Sequence, residues 1–157
     1  MNIEEKVMKR IIDLNLKTIC VESITGGLIA STMINTAGAS SVIEESLIVY
    51  SDNAKMNFLN VSCETLKKHT AVSEECVKEM TINTKQIFQK DIVVATTGYA
   101  DGEFAGKVYI GIAFKNYMKF LKLDLKGDRN TIREEVKNIV FKELDKKLEN
   151  YLKKVLL

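Results

Sequence analysis

The apolar positions of this chain alternate between two spacings. Over residues 3 to 16, Ile3, Val7, Ile11 and Leu14 recur every three or four residues, the interval of one helix face. Residues 18 to 22, Thr-Ile-Cys-Val-Glu, form a short β-prone run instead. The run stops at Ser23-Ile24-Thr25-Gly26-Gly27, and helical spacing resumes through Leu28, Ile29, Met33 and Ile34. Strand, glycine-bearing turn and helix in succession predict an α/β domain. Ser46 to Tyr50 is a second strand candidate, and residues 52 to 69 read as two short helices around Leu59 to Ser62. Ser73 is a predicted N-cap, with Glu74 and Glu75 in the favourable first turn. Val77, Met80, Thr84 and Ile87 then mark one helix face. Ile92 to Thr96 lacks polar alternation, as a buried central strand does. A loop over residues 99 to 107 holds Gly102 and Gly106. Val108 to Phe114 and Tyr117 to Leu123 predict a hairpin joined near Lys115-Asn116. After Gly127 and Asp128, a long helix is marked by Ile132, Val136, Val140, Leu144, Leu148 and Leu152.

Composition narrows the function classes. A chain of 157 residues is read as one domain over residues 1 to 157. At 46% hydrophobic and 28% charged it has the balance of a globular protein. A formal charge of +2 gives no reason to expect a nucleic-acid partner. Lys142, Lys146, Lys147, Lys153 and Lys154 are interleaved with acids, as on a solvated helix face. No apolar run approaches the roughly 20 residues of a membrane span. The N-terminus lacks the apolar stretch of a signal peptide. These features predict a soluble, cytoplasmic protein without a membrane partner. Cys20, Cys63 and Cys76 match neither a zinc spacing nor a disulfide framework.

The chemistry-bearing residues follow the predicted strands. Ser23 and Thr25 follow the first, Ser51 and Asn53 the second, and Thr97 the third. Open α/β sheets bind ligands in the crevice outside those strand ends. Gly26 and Gly27 open a helix whose free N–H groups suit a phosphate or oxyanion, or they are simple turn residues. Neither G-x-G-x-x-G nor a Walker sequence is present. Ser23 needs a base to act as nucleophile. His69, the only histidine, sits at a predicted helix end, where capping is the plainer reading. Lys55 is either a surface lysine or a desolvated one able to take a proton. Arg129 and Arg133, one turn apart, are either solvated charges or a phosphate fork.

The same segments resemble one known family, the CinA C-terminal domains, which includes nicotinamide-nucleotide amidohydrolases. Glu22-Ser23-Ile24-Thr25-Gly26-Gly27 resembles the family's E-S-C-T-G-G, and Tyr50-Ser51-Asp52-Asn53-Ala54-Lys55 resembles Y-S-N-E-A-K. His69 to Glu74 resembles H-G-A-V-S-E, and Thr97 to Ala100 the start of T-G-I-A-G-P. Gly106 to Gly111 resembles G-T-V-W-I-G, and Gly127-Asp128-Arg129 matches G-D-R. The blocks occur in the family's order and span residues 18 to about 133.

The resemblance implies three α/β/α layers around a mixed, mostly parallel five-stranded sheet. It implies hydrolysis of nicotinamide mononucleotide to nicotinate mononucleotide and ammonia, without metal or organic cofactor. Ser23 would be the nucleophile and Lys55 its base. Thr25, Gly26, Gly27, Tyr50, Asn53, Thr97 and Gly98 would line the site for a small nucleotide, with Arg129 and then Arg133 toward its phosphate. A homodimer is a candidate assembly. This chain departs from the pattern at Ile24, in place of cysteine, at Thr70, in place of glycine, and at Asp52-Asn53, in place of Asn-Glu. Only Tyr99 to Ala105 separate Gly98 from Gly106, where the family carries a longer Gly-Pro loop. The alternative reading is an altered or inactive descendant that binds a nucleotide or a protein partner.

Overall fold

The helices begin where short polar side chains cap them. Asn2, Ser51, Ser62, Ser73 and Asp128 each accept a hydrogen bond from the backbone N–H three residues on. The computed structural model describes residues 1–156. In chain order they form α1 (Ile3–Asp13), β1 (Thr18–Glu22), α2 (Leu28–Met33), a 3-10 turn (Ala39–Ser41) and β2 (Leu47–Ile48). Next come α3 (Asp52–Leu59), α4 (Cys63–His69), α5 (Glu74–Phe88), β3 (Ile92–Gly98), β4 (Lys107–Phe114), β5 (Tyr117–Asp124) and α6 (Arg129–Val155).

The strands make one mixed sheet in the order β2-β1-β3-β4-β5. β1 pairs in parallel with β2 and with β3, while β3–β4 and β4–β5 are antiparallel. Side chains alternate across a strand, and the two resulting faces feed separate cores. Cys20, Val94, Ile110 and Ile112 pack with α1, α2 and α6. Ile19, Val21, Val93, Ala95 and Ala113 pack with α3, α4 and α5. The result is the three-layer α/β/α arrangement. Its parallel strands β1 and β3 are flanked by helices on both faces, which explains their unbroken apolar runs.

One predicted strand is shorter than its sequence suggests. The run Ser46 to Tyr50 is paired as a strand only at Leu47 and Ile48. Its end is diverted: the Val49 and Tyr50 carbonyls turn inward to Nζ of Lys55. Val49 N–H still donates to Glu22 O, at 2.8 Å.

Candidate active site

The site is built at the C-terminal ends of β1 and β3. β1 stops at Glu22, and the next residue, Ser23, is tied to β3 by its N–H, which donates to Thr96 O at 3.1 Å. Gly26 and Gly27 carry the turn into α2 with φ of +57° and +97°, the left-handed region that favours glycine. The Gly26 N–H donates to Ser23 O at 3.0 Å. The start of α2 is not an open anion site. The buried Glu22 carboxylate folds over it, Oε1 accepting from Ile29 N–H at 3.0 Å and Oε2 from Ala30 N–H at 2.9 Å. A side chain of the preceding strand has therefore taken two of the donors expected to be free beyond Gly26 and Gly27, while the Gly27 N–H has no internal acceptor among the described residues. The N–H groups of Ile24 and Thr25, which directly follow Ser23, have no internal acceptor among the described residues.

Lys55 comes from α3, where its long stem is carried inward beneath the turn. It is 1% exposed. Its Nζ lies 3.0 Å from Ser23 Oγ, 2.9 Å from Val49 O and 3.4 Å from Tyr50 O. Burial lowers the Lys55 pKa from its ordinary value, against smaller opposing effects of Cys76 and Asp52. Cys76 is buried nearby, and burial pushes its thiol up to about 12, so it stays protonated and unreactive at neutral pH.

Ser23 and Lys55 sit at one side of a cavity of about 240 Å³, whose walls include Tyr50, Thr97, Gly98 and Arg129. Thr97 Oγ1 donates to Ala71 O at 2.7 Å. Ile24 also faces this cavity, and a Cβ at Gly98 would come within 3.0 Å of its Cδ1. The bare backbone of Gly98 leaves room for Val108 and the Lys107 carbonyl as well as for Ile24. Arg129, first residue of α6, reaches the rim and pairs there with Asp101 from the loop after β3.

Of the eleven positions singled out in the sequence, six therefore meet around this cavity, and the others take supporting or peripheral places. Thr25 Oγ1 is hydrogen-bonded to Thr96 Oγ1 at 2.9 Å, inside the sheet. Arg133 is turned onto the backbone, donating from Nε to Ile24 O at 3.2 Å and from Nη2 to Thr25 O at 2.9 Å. Gly26 and Gly27 shape the turn behind the wall. Asn53 is exposed in the first turn of α3. His69 faces Glu75, Nδ1 to Oε2 at 3.7 Å, and does not line the cavity. Sequence reasoning missed Glu22, Ala71, Val72, Tyr99 and Asp101. Glu22 stood inside a recognisable motif, whereas Asp101 had no motif to mark it.

No three of the described His, Cys, Asp or Glu residues are grouped to hold a metal ion. No helix among the described residues is long and apolar enough to cross a membrane.

Comparison with known proteins converges on one family. The family model for the CinA C-terminal domain matches residues 1–148. A protein of Finegoldia magna named as competence-damage inducible is 44% identical over 142 residues, covering 90% of this chain and 35% of its own length. A CinA-like protein of Thermotoga neapolitana is 37% identical over 152 residues, covering 92% of this chain and 37% of its own length. The chain thus spans little more than a third of these curated relatives. Among solved structures, a CinA superfamily protein from Klebsiella pneumoniae superposes with a TM-score of 0.87 at 29% identity, covering 94% of this chain and 96% of that one. One from Enterobacter cloacae gives 0.86 at 32% identity, covering 93% and 90%. With residues of several of the family's motifs lining one cavity, its fold reproduced and its model matched over nearly the whole chain, this protein belongs to the CinA C-terminal domain family.

Proposed function

We propose that this chain is an amidohydrolase that converts nicotinamide mononucleotide to nicotinate mononucleotide and ammonia, with Ser23 as nucleophile and Lys55 as general base. The observation that carries the reading is the 3.0 Å contact between Ser23 Oγ and a buried Lys55 Nζ at the wall of an open cavity. A hydroxyl is a poor nucleophile until a neighbour takes its proton, and a lysine does so only as the neutral amine. Burial favours that form here. The two carbonyls beside Nζ add direction. A neutral amine has two hydrogens and one lone pair. With the hydrogens on Val49 O and Tyr50 O, the lone pair is left to accept from the Ser23 hydroxyl.

Ser23 Oγ then attacks the carboxamide carbon as its proton passes to Lys55. The N–H groups of Ile24 and Thr25 are the donors available to the oxyanion. Arg133 braces the Thr25 N–H from behind: it holds the Ile24 carbonyl of the same peptide, and the N–H of a trans peptide points opposite its C=O. The protonated Lys55 gives its proton to the departing nitrogen, and ammonia leaves an ester on Ser23. Water attacks this ester, Lys55 takes the water's proton and returns it to Ser23 Oγ as the acid is released. Arg129 at the cavity rim is the group suited to the substrate phosphate.

The decisive assay is ammonia release from nicotinamide mononucleotide by the wild type and by Ser23→Ala. The reading predicts release that depends on Ser23. A folded wild type releasing no more ammonia than the alanine variant refutes it.

A further inference from the structure

At the rim of the cavity the guanidinium of Arg129 is already engaged. Its Nη2 hydrogen-bonds to Oδ2 of Asp101, and the phenol of Tyr50 stands beside the same group. The two partners are anchored unequally. Arg129 is the first residue of α6, whose start is fixed by the Asp128 cap. Asp101 belongs to the short segment between β3 and β4, where this chain departs most from the family pattern. Its side chain is 69% exposed, and among the described residues its carboxylate has no hydrogen-bond partner other than Arg129. The adjoining Gly102 has nothing within 4 Å of where a Cβ would stand, so the loop tip is clear of the rest of the fold.

We propose that Asp101 is an affinity-setting residue, an internal counter-ion that an incoming anionic substrate group must displace from Arg129. The identity of that group as a phosphate rests on the amidohydrolase reading above. When a ligand binds, one carboxylate leaves the arginine and one anion arrives. For a singly charged group the exchange is close to neutral, and an uncharged group leaves Asp101 in place. A phosphate monoester brings a charge of roughly −1.5 to −2 and three acceptor oxygens, so it alone gains clearly from the exchange. Asp101 thereby lowers affinity for every anion at this rim by the same factor and leaves uncharged ligands unaffected. The effect is a tuning one, because an exposed ion pair changes an equilibrium constant by only about two- to fivefold.

The test compares wild type, Asp101→Asn, Arg129→Ala and the double variant by calorimetric titration. The probes are nicotinamide mononucleotide, the same nucleoside without its phosphate, and inorganic phosphate. Asparagine keeps the shape of Asp101 and removes its charge. Asp101→Asn is expected to bind the mononucleotide and inorganic phosphate about two- to fivefold more tightly, with the nucleoside unchanged. In the Arg129→Ala background the same substitution is expected to have no effect. Three outcomes overturn the proposal: unchanged or weaker phosphate and mononucleotide binding by folded Asp101→Asn, equal tightening for the nucleoside, or tightening that persists without Arg129. Binding is read apart from hydrolysis, so the two failures separate. A wild type that releases no ammonia defeats the amidohydrolase reading while the phosphate titration still decides the role of Asp101. A wild type that does, together with an Asp101→Asn titration that does not move, defeats only the counter-ion.

Discussion

Glu22→Gln is the substitution that best isolates how the nucleophile's turn is held. The glutamate is 1% exposed, and each of its oxygens accepts one backbone N–H at the start of α2. Glutamine fits the same space, but its amide can present only one acceptor. The other position becomes an NH₂ facing an N–H, donor against donor. One charge-assisted bond, worth roughly 1.5–3 kcal/mol, is then lost and the second is weakened to a neutral bond of about 1 kcal/mol. Loss of a negative charge at a helix N-terminus acts in the same direction, by about 0.3–1 kcal/mol. Relaxation of the turn recovers part of this, so the expected loss is about 3 kcal/mol, within the 5–15 kcal/mol typical of a folded domain. In urea unfolding at pH 7, a slope of about 2 kcal/mol/M places the midpoint about 1.5 M lower. Amide hydrolysis should fall as well, since the loosened turn begins at Ser23. A midpoint shift under about 0.25 M, equivalent to roughly 0.5 kcal/mol at that slope, would mean that α2 does not depend on this carboxylate.

Three further outcomes are expected. Activity should rise with pH as Lys55 loses its proton and level off above its folded pKa, which burial sets below the ordinary 10.5; Lys55→Arg, unable to deprotonate, should be inactive at every pH, and robust turnover by that variant would assign the base elsewhere. Arg129→Ala should raise KM for the mononucleotide by about 10-fold or more while kcat changes little, the pattern of lost ground-state binding; an unchanged KM removes Arg129 from the phosphate's path. Gly106→Ala should destabilise the protein by at least about 2 kcal/mol in denaturant unfolding, because φ is +91° there and a Cβ would meet Leu125 O at 1.8 Å; a loss below half that value would show that the β4–β5 end rearranges freely.

Much of this architecture was written in local patterns. Among the described residues, periodicity located the six α-helices, though not the 3-10 turn, together with the β4–β5 hairpin and the buried runs of β1 and β3, because each of those signals is carried by adjacent residues. Ser23 and Lys55 were each candidates from the residues, but their pairing was assigned only through the resemblance, since nothing in the spacing of residues 23 and 55 says that their side chains meet. What escaped was decided by long-range competition for hydrogen-bonding groups. Gly26 and Gly27 gave the turn correctly, yet two of their helix's donors were taken by Glu22, a claim that depends on where a strand ends in space. Arg129 and Arg133 lie one turn apart and are equivalent on a helical wheel. One reaches the cavity rim and the other is drawn onto the carbonyls of Ile24 and Thr25. β2 was overestimated because the carbonyls of Val49 and Tyr50 answer to Lys55 rather than to a neighbouring strand.

The tie between Ser23 and Thr96 has a consequence for how the protein comes to be active. These residues are 73 positions apart in the chain, and parallel pairing of β1 with β3 must close that loop before the nucleophile's turn has a fixed end. Closing so long a loop costs chain entropy before any contact offsets it, so this step belongs among the slower ones. On a ribosome, the first helix, β1 and the Lys55 segment emerge while the strand that anchors them is still unmade. Ser23 and Lys55 can therefore be brought into register only after residues 92–98 are available, and the rim arginine arrives later still. Amide hydrolysis, measured during refolding, should appear with the last cooperative phase rather than with the early growth of helical signal.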